Sequence, residues 1–130
     1  MTLAAAGGWP AWSAVALGAV VGAWGRYALA VWLNDPARPV AVGTWVANLV
    51  GALLIGLAAA WLARHPDLTP LWRLFIMTGM LGALTTFSTF SLESLHLVLE
   101  GQWAWALGHT LMHVIGCFLA AAIGYRLLAA

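Results

Sequence analysis

Between residues 79 and 93 the chain reads Gly79-Met80-Leu81-Gly82-Ala83-Leu84-Thr85-Thr86-Phe87-Ser88-Thr89-Phe90-Ser91-Leu92-Glu93, placing hydroxyls and phenylalanines inside an apolar run. Hydroxyls donate hydrogen bonds and a phenyl ring is positive at its edge, so the two together suit a small anion removed from water. Phe87 and Phe90 stand three apart and share a helical face. If residues 82–86 unwind, their carbonyls leave helical pairing and can hold a small cation, while the half-helix beyond offers an anion-friendly N-terminus. The competing reading keeps the helix whole, with Ser and Thr bonding back to their own carbonyls and bending it.

Few other side chains could join this chemistry. Asn48 is the only strongly polar residue inside the second apolar segment, either as glue between helices or as pore lining. Arg26 lies inside the first, and reads as an arginine snorkelling to the interface or as a positive charge at an anion's entrance. His109, His113 and Cys117 recur every four residues and stack on one helix face. Glu93 reads as a structural hydrogen-bonding partner.

These residues need elements to hold them, and composition says which kind. Of 130 residues 64% are hydrophobic and 7% charged, with no lysine, which is too little charge to cover a water-soluble globule. A hydrocarbon core about 30 Å thick takes roughly 20 residues per helix, so the chain is an all-α membrane protein with four spans in one domain, 1–130. The expected spans are about 11–33, 43–63, 71–99 with a break at 82–86 near the midplane, and 103–128. Asn34-Asp35-Pro36 and His65-Pro66-Asp67 punctuate them. Small residues four apart, Gly18 with Gly22 and Gly116 with Ala120 and Gly124, mark close-packing seams, as do Gly51 and Gly56. Trp9, Trp12, Trp32, Trp61, Trp72, Trp103 and Trp105 fall at span ends as an interfacial belt.

A formal net charge of +1 and the lack of a Lys/Arg run exclude nucleic acid as a partner. Cys117 is the single cysteine, so an intramolecular disulfide is impossible. The first segment is too long for a signal h-region and is expected to stay uncleaved. Arg64, Arg73 and Arg126 fall on one side and Arg38 on the other, a small bias that leaves orientation weakly specified. No internal repeat supplies an inverted partner, so inverted symmetry would have to come from a second subunit.

The run Gly79-x-x-Gly82-x-x-Thr85-Thr86-Phe87-Ser88-Thr89-Phe90 resembles the signature of the Fluc (CrcB) fluoride channel family. Gly22-Ala23-Trp24-Gly25-Arg26-Tyr27, Gly43-Thr44 and Asn48-Leu49-Val50-Gly51 agree in order, so the resemblance covers nearly the whole chain. It implies an antiparallel, dual-topology homodimer of four-helix subunits in the bacterial inner membrane, exporting fluoride passively and lowering its toxicity. It also implies a central sodium ion (Na+) that is structural and not transported, held by the backbone carbonyls of Gly82 and Thr85 from both subunits. By the same resemblance Phe87 and Phe90 supply ring edges, Asn48 donates its amide, Thr89 and Ser88 add hydroxyls, and Arg26 lies towards the vestibule. The last segment departs from the family's hydroxyl track, with His113 and Cys117 in its place.

Rival classes are weaker. A small proton-coupled drug or cation exporter also uses four helices, but wants a midplane carboxylate in the first helix, where none occurs. A metal or haem module on His109, His113 and Cys117 lacks a complete structural zinc set unless subunits combine. Hydrolysis, and enzyme activity generally, is not expected, since there is no Gly-x-Ser-x-Gly elbow and both aspartates, Asp35 and Asp67, lie in loops.

Overall fold

Pro10 opens the first helix, where its missing N–H costs no helical bond and its fixed φ is already helical. In the computed structural model, which describes residues 8–129, this helix, α1, spans Trp9–Leu33. It stops before the Asn34-Asp35-Pro36 loop, and the Asn34 side chain takes the Gly43 N–H at 2.7 Å, tying the end of α1 to the start of the next helix. That helix, α2, spans Val42–Arg64, and His65 caps its exit by donating from Nδ1 to the Trp61 carbonyl at 2.8 Å.

The third span, Pro70–Leu99, is not one helix. It begins as α3 (Pro70–Arg73), widens into a π-helical segment Leu74–Leu81, and returns to a single α-helical turn, α4 (Gly82–Leu84). After an extended pair, Thr85 and Thr86, it resumes as α5 (Phe87–Leu99). The break is therefore narrower than the expected 82–86, because Gly82 is helical at φ −64°, ψ −34° and only Thr85 and Thr86 leave the helix. The π-helical stretch was not anticipated, since eight apolar residues give no periodic sign of i to i+5 pairing. Gly101, at φ +73°, makes the left-handed turn into α6 (Trp103–Ala129). All four spans have membrane length and apolarity.

Small residues decide how the spans meet. α2 packs chiefly on α6, and α1 on the π-helical segment and α4. A Cβ on Gly22 would overlap the Met80 carbonyl, and one on Gly18 the Phe75 carbonyl, so the first seam holds α1 against the third span. In the second seam Gly56 lies against the Ala121 carbonyl and Gly124 against the Leu53 carbonyl. Gly56→Val is expected to force α2 from α6 at an overpacking cost of about 1–3 kcal/mol. Gly108→Ala, with nothing within 4 Å of the added carbon, should be neutral. Thermal unfolding in detergent checks the pair, and equal midpoints would refute the seam.

Candidate functional site

The Thr85–Thr86 break is possible because another helix completes its hydrogen bonds. Asn48 on α2, 8% exposed, accepts the Thr86 N–H on Oδ1 at 2.6 Å and donates from Nδ2 to the Thr86 carbonyl at 3.0 Å. One side-chain amide thus pairs with both backbone groups of an extended residue, which in hydrocarbon would otherwise cost several kcal/mol. Gly51, one turn from Asn48, leaves room for the Thr85 methyl. The second Nδ2 hydrogen of Asn48 is not used in this pair.

The break releases carbonyls that an unbroken helix would pair, those of Gly82 and Thr85 among them. Thr86 N–H would bond to the Gly82 carbonyl in an unbroken helix, but goes to Asn48. Thr89 N–H would bond to the Thr85 carbonyl, but goes to Thr86 Oγ1 at 3.2 Å as the N-cap of α5. Gly82 and Thr85 therefore carry backbone oxygens released from i to i+4 pairing. Hard oxygen donors of this kind suit a small hard cation. Among the described residues no three His, Cys, Asp or Glu side chains are grouped to hold a metal.

The hydroxyls divide. Thr85 Oγ1 donates to the Leu81 carbonyl at 3.0 Å and Ser91 Oγ to the Phe87 carbonyl at 2.8 Å, both bonding back within their own span. Thr86 caps α5, donates to Thr89 Oγ1 at 3.0 Å and lies 3.3 Å from Ser88 Oγ. Among the described residues of the break only Thr86, Ser88 and Thr89 join their hydroxyls into a connected track.

Phe90, 6% exposed, is fixed among rings. Its centroid is 5.4 Å from Phe87, 5.4 Å from His109 and 4.6 Å from His113. Phe87 itself is 78% exposed and opens to the outside of the subunit. Beside these rings Thr44 Oγ1 donates to Glu93 Oε1 at 2.6 Å. Glu93 Oε2 lies 3.3 Å from His109 Nε2, within ion-pair distance though misaligned for a hydrogen bond, and Ser94 Oγ is 2.9 Å from His109 Nδ1. His113 Nδ1 donates to the His109 carbonyl at 3.1 Å.

Two cavities flank the break, and Thr86 borders both. One, of about 350 Å³, is lined by Asn48, Thr85, Phe87, Phe90, His113 and Cys117. The other, of about 370 Å³, is lined by Arg26, Thr44, Thr89 and Glu93. Arg26 and Thr89 thus lie across the break from Asn48, Phe90 and His113. Three contributors had no role assigned from sequence: Thr44, Thr86 as cap and clamp point, and His109 as neighbour of Glu93. The i to i+4 spacing of His109 and His113 was the available signal, but their partners on α5 were not deducible from one chain order.

Known proteins resemble this chain along most of its length. A protein of Aromatoleum aromaticum named fluoride-specific ion channel FluC is 49% identical over 123 residues, covering 95% of this chain and 94% of the relative. A protein of the same name from Cupriavidus pinatubonensis is 53% identical over 121 residues, covering 89% and 94%. Another from Pseudomonas syringae pv. maculicola is 50% identical over 110 residues, covering 85% and 87%. With residues 13–125 matching the family described as CrcB-like protein, Camphor Resistance (CrcB), the chain belongs to that family.

Proposed function

We propose that this chain is the subunit of a fluoride-selective channel that exports fluoride passively from the cytoplasm across the bacterial inner membrane. The observation that carries the reading is the Asn48-clamped break, bordered by two cavities lined between them by Arg26, Asn48, Phe87, Thr89, Phe90 and His113. The names of the relatives support it. A pore for a small, strongly hydrated anion must replace water's hydrogen bonds without binding so tightly that release stalls. Arg26 draws the anion towards the cavity it shares with Thr89. Thr86, Ser88 and Thr89 offer weak donors, and Phe87 and Phe90 offer ring edges beyond the break.

The functional unit in this reading is an antiparallel dual-topology homodimer. Gly82 and Thr85 supply two freed carbonyls per chain, half of a cation cage, and Phe87 is open to a neighbour. A sodium ion held by the four carbonyls of the pair would join the two breaks and offset anion repulsion. Proton-coupled export is the weaker reading, because the only carboxylate inside a span, Glu93, is held by Thr44 and faces His109.

Reconstituted protein should release fluoride, read by a fluoride electrode, while a parallel chloride experiment shows no comparable flux. Equal chloride flux, or no fluoride flux from a folded dimer, would overturn the reading.

A further inference from the structure

The hydrogen bond from His113 Nδ1 to the His109 carbonyl has a consequence for the other ring nitrogen. A carbonyl only accepts, so Nδ1 carries the hydrogen, and in the neutral ring Nε2 presents a lone pair. His113 is 4% exposed and that Nε2 is buried with no hydrogen-bond partner. A backbone carbonyl on one ring nitrogen is also the arrangement that orients the other as a metal ligand. One helical turn on, Cys117 is a free thiol lining the same cavity of about 350 Å³. Side chains at i and i+4 on a helix are neighbours on one face, a spacing that places two ligands on one ion.

We propose that His113 Nε2 and Cys117 Sγ form a binding site for a soft monovalent cation of the silver(I) or copper(I) class, and that its occupation blocks the path through this cavity. Thiolate sulfur selects soft ions over hard ones. The His109 ring centroid lies 4.4 Å from that of His113. Among the described residues, however, no three His, Cys, Asp or Glu side chains are placed to hold one metal, so a four-coordinate ion such as zinc is poorly served, whereas a two-coordinate ion needs only His113 and Cys117. On binding, an S–metal bond replaces the Cys117 S–H bond and the proton leaves to solvent. No electrons are exchanged. The blocking step rests on the fluoride-channel reading, since Asn48, Phe87 and Phe90 border the same space; the binding step does not.

The test titrates silver nitrate into purified protein in chloride-free buffer and follows binding by calorimetry. One silver per chain is expected, with Cys117→Ser and His113→Gln each weakening binding by more than roughly 100-fold, beyond the loss seen on removing an outer-shell partner. Alkylating Cys117 in the folded wild-type protein with N-ethylmaleimide should have the same effect and does not depend on a variant folding. In proteoliposomes silver should stop wild-type fluoride efflux, dithiothreitol should restore it, and each variant's efflux should be the same with and without silver. Absence of silver binding by the wild type, or undiminished binding by His113→Gln, would overturn the site. Silver binding without any fluoride flux would instead leave the site standing and remove the channel reading.

Discussion

Asn48→Asp is expected to lower fluoride efflux by roughly 10- to 100-fold, because a buried group left without its partner costs about 1–3 kcal/mol and each 1.36 kcal/mol is tenfold in rate. The substitution keeps an oxygen for the Thr86 N–H but replaces the donor that meets the Thr86 carbonyl. Two oxygens then face each other across about the same gap, and a carboxylate can add negative charge beside an anion path. Asn48→Ala removes both bonds and should lower stability further, since both Thr86 backbone groups lose their partner. Efflux from proteoliposomes and elution as an assembled dimer separate the effects. Undiminished efflux from Asn48→Asp would show that the clamp does not shape the path.

Phe90→Ile should have the next largest effect. Its ring is packed against Phe87, His109 and His113, and aromatic pairs contribute about 0.5–1.5 kcal/mol each beyond buried area. Isoleucine fills part of the space but has no positive ring edge, and it removes the phenyl ring that both imidazoles contact. We predict a loss of flux of about tenfold or more, with a lowered unfolding midpoint. Phe87→Ile supplies the comparison. Because Phe87 is exposed in the subunit, its loss should reduce flux with little change in subunit stability. Equal stability losses at the two positions would mean that Phe87 is packed in the assembled protein as tightly as Phe90.

The four spans were legible because a bilayer demands about 20 apolar residues for each, and Pro, Asn, Asp and Gly mark where they end. The seams were legible for a similar reason: Gly18 and Gly22, like Gly56 and Gly124, stand where only a missing side chain lets backbones touch. Pairing of specific seams was not, since small residues at one spacing fit any other such face. The extent of the break illustrates the difference. The expected break covered 82–86, but Gly82 stays helical and the chain departs at Thr85, next to the Thr86 that Asn48 holds.

By itself, then, the sequence determined an all-α membrane bundle with an interrupted third span and a small set of polar residues to serve it, because hydrocarbon admits few alternatives. Tertiary structure decided where that interruption falls and what it exposes. The bonds from Asn48 to Thr86, from Thr44 to Glu93 and the approach of His109 to Glu93 join residues far apart in the chain. Helix periodicity records which face a residue occupies, but only the packed bundle sets which faces meet. In this protein that meeting frees the Gly82 carbonyl and encloses Phe90, while the Thr86 cap within the third span frees the carbonyl of Thr85.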